Sequence, residues 1–234
     1  MAHSATRSAV DNELFARLPE QLQGRLKHAG RVVEERSGSR LQAAGDPIVE
    51  FTFPLTGLVS LTMDTSDGQS VEVAVVGAEG FVGISRFLGV PNSQWSAVVQ
   101  VPGTMFHVPA DIFESHGAAE ELRDLIDRVA ASLMVEMAQS AVCNKLHTIE
   151  QRTARWLLHA TDRARTTDLE LTHDFLAQML AVRRPSVTTI VGLFARARLI
   201  DARRGRIVVT DREGLHAFAC ECYEIVRATT PKYD

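Results

Sequence analysis

The residues best placed to do chemistry are arginines and hydroxyl-bearing side chains crowded near the C-terminus. Between Arg183 and Arg212 stand eight arginines (183, 184, 196, 198, 203, 204, 206 and 212) against Asp201 and Asp211, a net of +6 within thirty residues. The whole chain carries −4, and residues 1–149 hold 11 Lys and Arg against 18 Asp and Glu, a net of −7. Guanidinium groups at that density neutralise phosphates, and Ser186, Thr188 and Thr189 among them offer hydroxyls and methyls to base edges. The chemistry indicated is non-covalent recognition of nucleic acid. A charge run can equally be a solvated face, so the elements that carry it must decide.

Those elements are written in Leu171–Ile200, LTHDFLAQMLAVRRPSVTTIVGLFARARLI. Thr172 is a good helix N-cap, Asp174 suits the positive end of the helix dipole, and Phe175, Leu176, Met179 and Leu180 make a short amphipathic helix. Ala181-Val182-Arg183 leaves room only for a tight turn. A second helix begins near Arg184 with Pro185 in its first turn, where a missing N–H does no harm. Val187, Ile190, Val191 and Phe194 form its buried face, and small Ala177 lets the two helices approach; the pair is a helix-turn-helix. Arg184, Ser186, Thr188 and Thr189 point away from the apolar set, near the N-terminal half that enters a major groove in this motif. Leu199–Val209 reads as a β-hairpin with a basic tip at Arg204-Gly205-Arg206, a wing suited to phosphate contact.

Upstream, the chain from Arg31 to Pro109 is a series of short β-branched and aromatic runs. Candidate strands are 31–35, 48–53, 58–63, 71–76, 97–101 and 104–108, separated by turns such as Ser66-Asp67-Gly68 and Pro102-Gly103. Strands at roughly ten-residue spacing predict an antiparallel sandwich or small barrel. Asn12–Ala29 reads as a helical lead-in. From Ala118 to about Lys145 there is no Gly or Pro, and Leu122, Ile126, Val129, Leu133 and Met137 recur at helical steps. That stripe resembles a coiled-coil seam that twofold pairing would bury; a core helix covering the sheet is the alternative. A further helix is expected over Ile149–Ala164, with Ala154, Leu157 and Leu158 on its apolar side and Trp156 at the edge. The units expected are therefore a β-rich domain (1–117), a long helix suited to dimerisation (118–146) and a domain carrying the helix-turn-helix, suited to DNA binding (147–234).

Several classes are excluded. A chain 45% apolar and 23% charged is of ordinary globular composition. No stretch approaches 18 consecutive apolar residues, and Met1–Glu13 lacks the apolar run of a secretory signal, so a cytoplasmic protein without membrane contact is expected. Cys143, Cys220 and Cys222 are too few for a disulfide framework and one short of an all-cysteine iron–sulfur cluster. Cys220 and Cys222, two apart on a terminal helical segment, should point in different directions, as packing and surface residues. The chain has no G-x-S-x-G, Walker A, G-x-G-x-x-G or H-E-x-x-H motif, so an enzyme is not expected. A metal-dependent oxygenase on a β-barrel would need two histidines and a carboxylate, and only His107 lies on a candidate strand.

The order of β-rich domain, long helix and winged helix-turn-helix resembles the family of the cyclic-AMP receptor protein and the fumarate–nitrate regulator, the bacterial CRP/FNR regulators. The likeness runs from about Leu14 to Tyr223 and is closest over Arg152-Thr153-Ala154-Arg155-Trp156-Leu157-Leu158, LTHDFLAQMLAVRRPSVT and Arg204-Gly205-Arg206-Ile207. It implies an α+β fold: an N-terminal antiparallel β-roll of the cyclic-nucleotide-binding kind, a long dimerisation helix and a C-terminal winged helix-turn-helix. It also implies a homodimer on double-stranded DNA with an inverted repeat, and RNA polymerase as a further partner. Carried over, base reading falls on Arg184, Pro185, Thr188 and Thr189, with Ser186 on a phosphate; Thr172, Arg183, Arg204 and Arg206 complete the DNA-facing set. Pro185 departs from the glutamate usual there, so an altered half-site is expected.

In the family's cyclic-nucleotide binders a Phe-x-Gly-Glu turn holds the ribose and an arginine before Ser-Ala pairs with the phosphate. The corresponding residues look like Phe81-Val82-Gly83-Ile84 and Trp95-Ser96-Ala97, so Ile84 replaces the acid and Trp95 the arginine. A buried phosphate without a positive partner is costly. The expectation is a sensor that does not answer to cyclic AMP, with Gly83, Ile84, Trp95 and Ser96 marking the altered pocket; a cyclic-nucleotide responder with a remodelled site is the alternative. An N-terminal cysteine cluster is absent, and although His28, His107 or His116 could in principle ligate haem, a lone histidine is more often a surface or core residue than a ligand. No metal or cofactor is expected, and the effector is left open.

Overall fold

A computed structural model describes residues 10–114 and 120–233. The chain opens with α1 (Glu13–Ala16) and α2 (Glu20–Ala29). The single lead-in helix expected over Asn12–Ala29 is broken because Pro19 forces the residue before it out of helical geometry and stands as the N-cap of α2. Then follow β1 (Arg31–Glu35), β2 (Arg40–Gln42), β3 (Glu50–Pro54), β4 (Leu58–Asp64), β5 (Ser70–Val76), α3 (Ile84–Phe87), β6 (Ser96–Val101), β7 (Gly103–Pro109) and α4 (Ala110–Glu114). All pairings are antiparallel: one sheet runs β1-β7-β3 and the other β2-β6-β4-β5.

Both sheets feed one core centred on aromatic rings. Phe51 meets Phe81 and Phe113 edge-on with centroids 5.4 and 5.0 Å apart, and Phe15 meets Phe53 and Phe106 likewise. The long helix α5 (Glu120–Leu146) closes this core.

The predicted pairing stripe therefore has another role. Leu122, Ile126, Val129 and Leu133 are at most 7% exposed within the single chain and belong to the sensor core, with Met137 packed against it. The apolar residues that α5 leaves in water are instead Met134 and Leu146, both 71% exposed, and Val142. Ala131 and Ala138 are exposed as well, so a second stripe runs Ala131, Met134, Ala138, Val142, Leu146. Periodicity found one apolar face; the weaker one, built of Ala and Met, lies on another side of the helix.

The C-terminal part holds α6 (Ile149–Ala164), β8 (Asp168–Leu169), α7 (His173–Met179), α8 (Arg184–Arg196), β9 (Ile200–Arg203), β10 (Arg206–Val209), α9 (Arg212–Phe218) and α10 (Cys222–Thr229). Helix α6 starts where Thr148 and Gln151 form a reciprocal capping box, and ends at Arg165 in the left-handed region. Its apolar face builds a second core with α7, α8 and the β8-β10-β9 sheet, and this core takes in Leu58, Val75 and Val101 from the sensor strands. Sensor and C-terminal parts thus share a packed boundary. No described helix is long and apolar enough to cross a membrane.

Candidate nucleic-acid interface

Helices α7 and α8 are joined by Leu180–Arg183. The turn closes through Ala181 N–H to the Gln178 carbonyl (3.0 Å) and Val182 N–H to the Ala177 carbonyl (2.9 Å), with Ala181 at φ +51°. Thr172 caps α7, its Oγ1 accepting from Phe175 N–H at 3.2 Å. Arg183 occupies the N-cap position of α8 without a side-chain cap, and Pro185 sits in the first turn. Val187, Ile190, Val191 and Phe194 are buried beneath. Arg184, Pro185, Thr188 and Thr189 are exposed, as is Arg183 in the turn, and Ser186 is half-buried.

The hydrogen bonds on this face are few and replaceable. Arg184 Nε lies 3.3 Å from Asp174 Oδ1, with both side chains about two-thirds exposed. Such a pair contributes little in water and can be exchanged for a base or phosphate. Thr188 and Thr189 donate to the carbonyls of Arg184 and Pro185 one turn earlier, at 3.2 and 3.0 Å, and His173 Nδ1 lies 3.1 Å from the Thr188 hydroxyl. Bonding back along the helix fixes each threonine rotamer and leaves its methyl and an acceptor lone pair for a partner.

In the wing, β9 and β10 pair around Gly205 at φ +72°. The two arginines at its tip are not equivalent. Arg206 is bound by the carboxylate of Asp168, which register places opposite Val208 on the neighbouring strand. This pair braces the hairpin, while the Arg206 side chain itself stays more than half exposed. Arg203 pairs with Asp201 at 2.9 Å, whereas Arg204 is exposed and forms no ion pair among the described residues.

At the sensor end, Gly83 (φ +110°) is the N-cap of α3, and a Cβ there would come within 2.6 Å of the Phe51 ring. Ile84 is buried in the aromatic core and Trp95 packs partly buried against it. Buried Ser96 donates to Asp64 Oδ2 at 2.9 Å and accepts from Ala44 N–H at 3.3 Å. A carboxylate, not a guanidinium, thus stands beside Ser96. A crevice of about 420 Å³ lies elsewhere, lined by Arg31, Glu35, Arg40, Gln42, Glu50 and His107 among others. Buried His107 contacts Thr52 Oγ1 through Nδ1 (3.0 Å), and burial holds its imidazole below the usual range. His28 is exposed on α2, and His116 lies outside the described residues.

Sequence reasoning missed two groups. At the boundary between the two parts, Glu72 of β5 accepts from Ser60 Oγ (2.5 Å) and from Trp156 Nε1 of α6 (2.8 Å), and burial pushes its carboxyl up to about 7. Beside it, buried Arg163 of α6 pairs with buried Glu136 of α5 at 2.9 Å and donates to the Val75 carbonyl. Trp156 at the edge of the apolar face was the one visible signal.

The second group corrects the cysteine reading. Cys220 lies in the extended link after α9 and Cys222 is the first residue of α10, so no shared helix turns them apart. Both are buried against Cys143 of α5. The motifs Cys-x-x-x-His at 143–147 and Cys-x-Cys at 220–222 were the available clue.

Comparison with known proteins agrees with this architecture. Residues 32–117 match the profile of the cyclic nucleotide-binding domain and residues 151–218 that of the Crp-like helix-turn-helix domain. Among solved structures, a CRP/FNR-family transcriptional regulator from Thermus thermophilus is similar with TM-score 0.65 and 22% identity over 81% of this chain and 98% of that one. FixK2 from Bradyrhizobium japonicum gives 0.65 and 15% over 82% and 98%. The c-di-GMP-responsive global regulator CLP from Xanthomonas campestris gives 0.64 and 13% over 82% and 99%. These likenesses establish the fold. No curated protein matches the sequence at a significant level.

Proposed function

Because the chain belongs to the CRP/FNR family, we propose that it is a homodimeric, sequence-specific DNA-binding regulator, not an enzyme, whose sensor domain does not respond to cyclic AMP. The observation that carries the DNA reading is the face of α8. Arg184, Thr188 and Thr189 stand in water above a buried Val187–Phe194 stripe, with a basic wing alongside. On this reading Arg184 addresses a guanine edge, the threonines address neighbouring bases, and Arg183, Ser186 and Arg204 hold phosphates. Thr172 supports the interface as a cap, and Arg206 as a brace.

Pairing of two copies is assigned to the stripe Ala131, Met134, Ala138, Val142 and Leu146, the apolar face of α5 that the chain's own core leaves uncovered. Steps of three and four residues suit a helix pair, and small alanines allow close approach. A twofold dimer calls for an inverted repeat with half-sites about 34 Å apart. Against cyclic AMP stand Ile84 in the core, Trp95 where a guanidinium would be needed, and Asp64 bonded to Ser96, which would repel a phosphate.

Selection of bound DNA from random oligonucleotides, followed by titration with cyclic AMP, tests both halves of the reading. An enriched inverted repeat whose affinity is unchanged at millimolar nucleotide is expected. Selection without enrichment would remove the DNA reading, and a micromolar calorimetric Kd for the nucleotide would remove the second half.

A further inference from the structure

Four potential metal-binding side chains converge at the joint between the long helix and the C-terminal domain. Cys143 lies in the last turn of α5, and His147 follows one turn later, just before the Thr148 cap of α6. Cys220 and Cys222 flank Glu221 at the start of α10. One ligand atom from each residue can be chosen so that all four lie within 4.8 Å of one another. Cys143 Sγ is 3.6 Å from Cys220 Sγ, and Cys222 Sγ is 3.4 Å from His147 Nδ1. All three cysteines are free and buried, and the His147 side chain is only 12% exposed.

We propose that Cys143, His147, Cys220 and Cys222 form a tetrahedral site, three sulfurs and one nitrogen, for a single thiophilic divalent cation of the zinc class. The spacing supports one ion. With metal–sulfur bonds of about 2.3 Å at a tetrahedral angle, two thiolates on one ion stand about 3.8 Å apart, and thiolate and imidazole slightly closer. An iron–sulfur cubane fits poorly, because each ligand binds a different iron and the sulfurs are forced well apart. Three soft thiolates with one imidazole suit zinc over magnesium or calcium, which take oxygen.

The surroundings are those of a ligand set. With Nδ1 toward the cluster, His147 directs Nε2 to Glu221 Oε1 at 3.3 Å, the carboxylate–imidazole arrangement that orients a metal-bound histidine. Gln139 donates to Cys222 Sγ at 3.0 Å. Three thiolates and a divalent ion leave one negative charge, which Arg152 and Arg155 offset. Arg152 also bonds Asn144 of α5 and the Leu180 carbonyl at the end of α7. The ion would therefore clamp the end of the long helix to a C-terminal domain whose turn is tied to the same place.

The test uses the full chain, reduced and chelator-treated, with three free thiols counted before titration. Cobalt(II) should bind at one equivalent per chain, with intense tetrahedral visible bands and thiolate charge-transfer in the near ultraviolet, and zinc should displace it. Zinc should also raise the Tm. Cys222→Ser should lower the charge-transfer intensity by at least about a third, and Glu221→Gln, a change at an exposed side chain, should weaken binding about 10- to 100-fold with the fold intact by circular dichroism. No bands with all thiols free, a weak octahedral spectrum, or bands unchanged in Cys222→Ser would overturn the site. So would preferential assembly of an iron–sulfide chromophore. None of these readouts requires DNA, so the site and the DNA reading stand or fall separately.

Discussion

Two sets of arginines, one at the boundary of the sensor and one on α8, show how burial decides what a guanidinium does. Arg163 is enclosed by Glu136, Glu79 and the Val75 carbonyl. Burial alone would lower its pKa, but the two carboxylates hold it above its ordinary value. Arg184 stands in water with one loose acidic neighbour. The first can leave its partners only by stranding charge in a dry boundary. The second loses almost nothing when a nucleic acid takes the place of Asp174. Charge density along the sequence found the exposed set and passed over the buried one, because Arg152, Arg155 and Arg163 are spread over twelve residues of a helix that also carries Glu150 and Asp162.

The largest effect should come from the buried member. Arg163→Met keeps the volume but leaves Glu136 and Glu79 uncompensated, and a loss of about 3–5 kcal/mol is expected from urea unfolding. Arg184→Met should stay within about 0.5 kcal/mol of the parent. Equal losses at the two positions would erase the contrast between them.

Next is the pH dependence of the boundary. Glu72 has its carboxyl raised to about 7, chiefly by burial, with the Glu136 charge adding to the effect and Arg155 opposing it. Below about pH 4.5 both folded and unfolded chains keep this proton. Between there and about 7 the unfolded chain releases it first, so the folded state binds more protons and stability falls as pH rises. The loss has an upper bound of about 3 kcal/mol. Glu72→Gln can accept from Trp156 through its amide oxygen and donate from its NH2 to the Ser60 hydroxyl, which can turn its proton to Gln100, and should flatten this slope. Unfolding curves at pH 5 and pH 8 for both proteins measure it, and an unchanged slope in the variant would show that Glu72 is not its source.

On DNA the effects are smaller and differ in kind. Arg184→Ala should cost about 1–3 kcal/mol on the preferred site and much less on a scrambled one. Arg204→Ala should weaken both alike and reduce the salt slope by about one. Arg206→Ala should act mainly through the hairpin, since Asp168 already holds it. If Arg184→Ala and Arg204→Ala lose affinity equally on both DNAs, α8 is not the reader.

What the sequence disclosed follows the range of the interactions. Helix α6 spans the expected Ile149–Ala164 because its signals are local: a capping box at Thr148 and an apolar period. The buried face of α8 was legible for the same reason. Strands β2 and β8, three and two residues long, carry too little pattern to stand out. The face of α5 that meets the sensor could not be distinguished from one that meets a second chain, because Leu122 and Ile126 look the same against either. The cysteine cluster joins residues 77 apart, and only the chain path after α9 turns Cys220 and Cys222 together.

The smallest effect tests the α7–α8 turn that presents the reading face. Ala181 holds φ +51°, where an L side chain crowds the following carbonyl at a cost of about 1–2 kcal/mol. Glycine avoids that crowding but frees the unfolded chain, which offsets part of the gain. The methyl group of Ala181 is exposed, so little packing is lost with it. Ala181→Gly should therefore stabilise the protein by about 0.5–1 kcal/mol, read as a higher urea midpoint at constant slope. Because the turn keeps its geometry, affinity for the selected DNA should not change. A lower midpoint would mean that the freedom glycine gives the unfolded chain outweighs the crowding at Ala181, and that the left-handed turn stores little strain.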